Sequence, residues 1–262
     1  MPFDKAGIAL NDLGVLRGFG VFDFFRTYNG KPFYLKDHYT RFQNSAKSIG
    51  LKIPLNFKDF ESVVYDLLAK NKVKDASFRA VLLGGPVQNS LNSTKPTLYI
   101  LTEEVYEPTE AQMQKGVSLM VHDYLRYIPE AKTTNYLEAV KMQKEKTKQK
   151  AYEILYVSNG EVLECSTSNV FIIKGNSLIT PSENILKGIT RKVILKIAGK
   201  DFKIEERVVK LDELLKADEV FISGTNKKVL PVVKVGKTLI NGGKVGDGVR
   251  FLQALWERET SN

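Results

Sequence analysis

Asparagine-glycine pairs divide this chain into short β-rich runs, and no other sequence feature limits its fold as much. In "GVFDFFRTYNGKPFYL" two such runs flank Tyr28-Asn29-Gly30-Lys31, and Asn-Gly supplies the positive φ values of a tight hairpin turn. The same punctuation recurs further on, where "GVSLMVHDYL", "AYEILYVSNGEVLECS", "NVFIIKGNSLITPS" and "EVFISGTNKKVLPVVKVGKTLI" are β-rich and broken by Asn-Gly or Gly-Asn. Helical periodicity is confined to fewer stretches. "KDHYTRFQNSAKSIG" reads as a helix ended by Gly50, and residues 57–71 place apolar side chains at Phe60, Val63, Val64, Leu67 and Leu68. Strands "FRAVLLGG" and "TLYILTEE" follow. Later helices are expected over residues 133–150, 188–198 and 248–257. The polar, proline-bearing "VYEPTEAQMQKG" reads as a linker. The expectation is an α+β protein of two domains: a small N-terminal α/β domain over residues 1–105, a linker over 106–115, and a larger β-rich domain over 116–262 with a curved, mainly antiparallel sheet.

A chain of 262 residues with 43% hydrophobic and 10% aromatic content can bury a sizeable core. No apolar run approaches the length of a membrane span, and "MPFDKAGIAL" lacks a signal-peptide core, so the chain reads as cytoplasmic and not membrane-bound. Its one cysteine, Cys165, has no internal disulfide partner, and no Cys/His cluster suggests a metal. The net charge of +9 leaves two readings, a nucleic-acid partner or a lysine-rich surface around an anionic substrate. The densest basic stretch, "KMQKEKTKQK" over residues 141–150, carries no interleaved aromatics and reads as a solvated helix face. No nucleic acid is expected.

One lysine stands apart from that background. In "IPEAKTTNYL", Lys132 precedes a small polar Thr-Thr-Asn run that leaves room for it to enter a packed site. About thirty residues on, "ECSTSNVF" puts the carboxylate of Glu164 at a strand end, followed by small residues. In "ILKGITRKVIL", Gly188 opens a helix whose first amides belong to Ile189 and Thr190, an arrangement that binds phosphate. "FISGTNKK" offers a second tight loop with the Thr225 hydroxyl. An upstream arginine, Arg41, lies in "HYTRF". Taken singly, these are a polar turn, an N-cap and a loop. Together they are the parts a pyridoxal phosphate enzyme needs: an imine-forming amine, a partner for the pyridine nitrogen and a phosphate cup.

Their order and spacing, from about Gly18 to Val233, resemble the class IV, or fold type IV, aminotransferases, the family of branched-chain aminotransferases, D-amino acid transaminases and aminodeoxychorismate lyases. The resemblance implies a cofactor, pyridoxal 5'-phosphate, and a role for each matched residue. Lys132 would join the cofactor and shuttle a proton as the catalytic base. Glu164 would keep the pyridine nitrogen protonated. Arg41, Ile189, Thr190 and Thr225 would hold the phosphate. Tyr136, taken to lie one helical turn beyond Lys132, would reach the ring hydroxyl. The resemblance further implies a homodimer, amino acid and 2-oxo acid substrates, and a site at an interdomain cleft.

Departures from the family pattern bear on substrate. Phe22-Asp23 fits the family's aromatic-then-acid step and leans towards transamination, with Phe22 taken as a substrate contact. Arg17 stands where many members carry an aromatic residue; it is either a carboxylate clamp or an exposed strand-end arginine. Arg79 is either a contact for a substrate side-chain carboxylate or a surface strand residue. Asn226, Lys227 and Lys228 replace the small residues typical of branched-chain enzymes, with Asn226 taken as a substrate contact. The expected activity is transfer of an amino group from an amino acid to a 2-oxo acid. The alternatives are the aminodeoxychorismate lyase reaction, which releases pyruvate using the same lysine, and a basic nucleic-acid-binding module.

Overall fold

A computed structural model describes residues 2–88, 91 and 95–261. They form two compact units, Met1–Val105 with Ala131–Tyr136, and Tyr106–Glu130 with Leu137–Asn262.

In the first unit, strands β1 (Gly20–Tyr28), β2 (Lys31–Pro32), β3 (Ser77–Leu83) and β4 (Thr97–Glu103) make an antiparallel sheet in the order β2-β1-β3-β4. The β1–β2 hairpin turns through Asn29 and Gly30, both at positive φ (53° and 78°), as the Asn-Gly pair requires. Three helices accompany it: α1 (Leu13–Arg17), α2 (Leu35–Ser48) and α3 (Phe57–Asn71). Apolar residues four apart on α3, Phe60, Val64 and Leu68, are buried against Val21, Phe25 and Phe78 of the sheet and Tyr39 and Phe42 of α2. Asn56 starts α3 by accepting the Asp59 amide at 3.0 Å.

The second unit holds ten strands: β5 (Val117–Asp123), β6 (Glu153–Ser158), β7 (Glu161–Cys165), β8 (Asn169–Lys174), β9 (Ser177–Thr180), β10 (Lys203–Glu206), β11 (Val209–Lys210), β12 (Glu219–Gly224), β13 (Lys228–Val235) and β14 (Thr238–Leu239). They run in the order β10-β9-β8-β12-β13-β5-β6-β7-β11, with β14 on β13. Three ladders are parallel (β9–β10, β13–β5, β5–β6) and the rest antiparallel, so the sheet is mainly antiparallel as expected. Its helices are α4 (Glu110–Lys115), α5 (Leu137–Lys141), α6 (Gln143–Lys148), α7 (Ile189–Ala198), α8 (Leu211–Leu215) and α9 (Asp247–Ser261). Asn159 and Gly160, again both at positive φ, turn β6 into β7. No helix among the described residues is long and apolar enough to cross a membrane.

The stretch read as a linker contains α4, started by a capping box in which Thr109 and Gln112 satisfy one another's amides. Two sequence expectations need correction. The single helix expected over residues 133–150 is two short ones, α5 and α6, separated at Met142. Ahead of them, residues 131–136 are not helical, because β1 captures their backbone: Phe22 N donates to Lys132 O (2.9 Å) and Thr134 N to Gly20 O (2.9 Å), and Thr133 bridges Val21. Lys132 is therefore built into the first unit, although the segments that flank residues 131–136 on both sides belong to the second.

Candidate active site

Within the first unit, alternation along β1 decides which side chains meet. Val21 and Phe25 enter the core. Asp23 lies between them and is 1% exposed, an acid at an apolar position. It is matched by residues one turn apart on α2: Arg41 donates from Nε and Nη2 to its two oxygens (2.8 Å each), and His38 Nδ1 lies 2.7 Å from Oδ1. Burial by itself would raise the Asp23 carboxyl, but Arg41 and His38 outweigh it and hold the group well below the usual carboxylate range. Burial likewise lowers His38, against the opposing pull of Asp23. Arg41 is left with Nη1, which takes no partner among the described residues.

Phe22 and Phe24 point to the other face. Lys132 Nζ lies 4.5 Å from the centre of the Phe22 ring, and the Tyr136 ring packs against Phe22 at 5.8 Å. Tyr136 thus keeps company with Lys132 through Phe22, not through the helical turn the sequence suggested. The Lys132 amide donates to Ser45 Oγ of α2 (3.0 Å), so its backbone is bonded on both sides. Arg79 stacks over Phe24 (4.8 Å) and Phe22 (5.6 Å), with Nε and Nη2 both directed to Glu103 (2.6 and 3.1 Å). Arg17 ends helix α1 and not a strand; it is exposed and donates from Nη1 to Leu16 O at 2.9 Å.

In the second unit, Glu164 is 6% exposed near the end of β7. Its Oε1 accepts from Arg126 Nε and Nη2 (2.8 and 2.6 Å) and its Oε2 from the Leu186 amide (3.0 Å). Gly188 caps α7 without a side chain, and a Cβ there would collide with Asn169 Oδ1. The first bond inside α7 is Lys192 N to Gly188 O (3.0 Å), so the amides of Ile189 and Thr190 precede the ladder and bond to nothing among the described residues. Asn169 joins these pieces: its Nδ2 donates to Leu186 O (2.8 Å), and its backbone pairs with Ser223 at the end of β12. Thr225 and Asn226 sit in the turn that follows, closed by Lys227 N donating to Gly224 O (3.0 Å). Glu164, Ile189, Thr190 and Thr225 are thereby gathered around the loop between β7 and β8.

Sequence reading missed the supports of these groups. Asp23 was seen as a family signature but not as the anchor of Arg41; the signal was an acid in phase with Val21 and Phe25, facing a His and an Arg three residues apart. Arg126 gave no comparable signal, because its pairing with Glu164 spans thirty-eight positions of chain.

The family model for class IV amino-transferases matches residues 20–235. The chain belongs to this family. Class IV aminotransferases among the curated proteins align over nearly its whole length. A provisionally named branched-chain-amino-acid aminotransferase of Methanocaldococcus jannaschii is 32% identical over 95% of this chain and 89% of its own. The D-alanine aminotransferase of Staphylococcus aureus (strain N315) is also 32% identical, over 97% of this chain and 93% of its own. Among solved structures, the T.th. branched-chain amino acid aminotransferase with pyridoxamine 5'-phosphate matches with a TM-score of 0.91 at 25% identity, over 99% of this chain and 91% of that one. The α+β architecture is that of fold type IV, and the activity is that of a class IV aminotransferase, moving an amino group between an amino acid and a 2-oxo acid.

Proposed function

We propose that this class IV aminotransferase binds pyridoxal 5'-phosphate through Lys132, Arg41, Tyr136, Glu164, Ile189, Thr190 and Thr225. The observation that carries the reading is the setting of Lys132: its backbone is bonded on both sides and its ammonium rests on an aromatic ring, whereas most lysines of the chain are exposed. The chemistry of these residues fits the cofactor. A phosphate suits the open Nη1 of Arg41 and the unbonded amides of Ile189 and Thr190. Glu164, backed by Arg126 and the Leu186 amide, suits a protonated ring nitrogen.

When bound, the cofactor supplies the carbonyl that takes up the amino group and a ring that draws electrons from the substrate α-carbon. Lys132 Nζ takes and returns the α-proton. Phe22 packs beneath that ammonium, and the Tyr136 hydroxyl would donate to the ring oxygen. For the substrate carboxylate, Arg17 keeps Nε and Nη2 without partners among the described residues, while the Arg79 fork is occupied by Glu103. Asn226, beside Thr225, completes the substrate contacts. A homodimer belongs to the same proposal: Leu125, Tyr127, Leu137 and Val140 of the second unit are exposed apolar residues, Tyr127 at 92%.

Lys132→Ala tests the reading directly. Transamination should fall by about 10⁴-fold or more, since a positioned proton carrier alone contributes about 10²–10⁴, and the visible absorbance of lysine-bound cofactor should disappear while the circular dichroism spectrum stays unchanged. Retained turnover would discard the assignment. A half-reaction screen across L- and D-amino acids then identifies the donor, and pyruvate release from aminodeoxychorismate would mark the lyase instead.

A further inference from the structure

Glu153 opens β6 and is 3% exposed, yet it belongs to none of the groups described above. Its Oε1 accepts from the Thr167 amide (2.5 Å), the Thr167 hydroxyl (2.7 Å) and the Ser166 hydroxyl (3.3 Å). Its Oε2 accepts from Ser168 Oγ (2.8 Å) and from Lys227 Nζ (2.6 Å). Lys227 uses every donor it has: besides Glu153, its ammonium reaches Thr167 Oγ1 (2.5 Å) and Ser168 Oγ (2.7 Å). Burial pushes the Glu153 carboxyl up, and Lys227 with the hydroxyls pulls it below its ordinary value.

Such a pair is poor evidence for stability, because apolar replacements of buried ion pairs are often neutral. Its placement says more. Residues 166–168 form the loop directly after the strand of Glu164. The Lys227 amide closes the turn over residues 224–227. Gly224 lies against the same loop, so that a Cβ on it would meet Thr167 O at 3.4 Å and Ser168 Oγ at 3.7 Å. One ammonium therefore ties the turn carrying Thr225 to the loop beyond Glu164.

We propose that Lys227 is a positioning residue, which through Glu153 locks the 224–227 turn onto the 166–168 loop and so holds Gly224 and Thr225 as a preformed seat for the cofactor phosphate. This rests on the cofactor reading above. Without the tie, the turn must be ordered as the phosphate arrives, and the entropy of ordering it weakens binding.

The test uses Lys227→Met and the double variant Lys227→Met/Glu153→Gln, with dissociation constants for pyridoxamine 5'-phosphate and for pyridoxamine measured by fluorescence, and thermal midpoints measured alongside. The single variant should melt lower, because Glu153 is left buried and unpaired. The double variant should recover the parent midpoint, yet bind pyridoxamine 5'-phosphate about tenfold or more weakly with pyridoxamine affinity unchanged. The ratio of the two affinities decides. A phosphate-specific loss supports the positioning role. A ratio equal to the parent's, whether both affinities hold or both fall together, overturns it and leaves the pair purely structural. Absence of any pyridoxamine 5'-phosphate binding by the parent would instead sink the cofactor reading, and this inference with it.

Discussion

Each unit buries one carboxylate against one arginine, and the two pairs are built in opposite senses. In the first unit Arg41 grips Asp23 fork to fork, Nε on Oδ2 and Nη2 on Oδ1, while His38 takes a further place on Oδ1. The carboxylate is enclosed, and the open edge of the pair belongs to the arginine. In the second unit Arg126 donates from Nε and Nη2 to Oε1 of Glu164 and from Nη2 to Pro129 O, while Oε2 of Glu164 accepts the Leu186 amide. Under the cofactor assignment proposed above, identical residue chemistry would serve two ends: the arginine is the group presented to an anion in the first unit, and the carboxylate the group presented to a cation in the second.

Breaking the first pair should have the larger effect on stability. Asp23→Asn leaves the largely covered Arg41 without its counter-charge and breaks a pair whose carboxylate is 1% exposed, so unfolding in urea should show a loss of about 3–5 kcal/mol. The pH dependence carries the same signature. Asp23 titrates well below its unfolded value near 4, so its contribution is complete above that pH and is lost as pH falls below it. His38 is also lowered; its neutral form is favoured by folding, and that contribution is lost as pH drops beneath the unfolded value near 6.5. Stability should therefore decline from about pH 6.5 downward and more steeply below about 4, and Asp23→Asn should flatten the lower limb. An unchanged acid limb would show that Asp23 does not govern it.

Breaking the second pair should cost less stability, because Arg126 is more exposed than Arg41 and keeps its bond to Pro129 O, and should strike the chemistry instead. In Glu164→Gln the amide no longer favours a protonated ring nitrogen, and the half-reaction should slow by about 10²–10³-fold, the scale of losing one preorganised electrostatic partner, with cofactor still retained through its phosphate. A rate within about twofold of the parent would place the function of Glu164 elsewhere. The smallest effect is expected of Arg17, an exposed arginine with no carboxylate partner among the described residues. Arg17→Ala should leave stability within about 0.5 kcal/mol and raise KM for amino acids and 2-oxo acids roughly tenfold, corresponding to about 1.4 kcal/mol. Arg17→Lys should recover only part, lacking the planar fork. Unchanged KM for every substrate would remove the clamp without touching the arginine pairs.

Much of this protein was legible in the sequence. Asn29-Gly30 and Asn159-Gly160 dictate their hairpins because few other residue pairs accept two consecutive positive φ values. The four-residue spacing of Phe60, Val64 and Leu68 defines α3 because a helix returns to the same face at that interval. Lys132, Glu164 and the Gly188 helix start stood out because each pairs a reactive or anion-binding group with small neighbours. These are local properties, written within a few residues. What only the tertiary structure decided is long-range. The backbone of residues 131–136 has β-strand partners in β1, and those bonds override the helical pattern of the stretch. Tyr136 meets Lys132 across Phe22 for the same reason. Asp23 finds Arg41, Arg126 finds Glu164, and Lys227 finds Glu153 across 18, 38 and 74 positions. No local rule links such residues, because a buried charge is satisfied by whichever partner the fold brings within hydrogen-bonding distance.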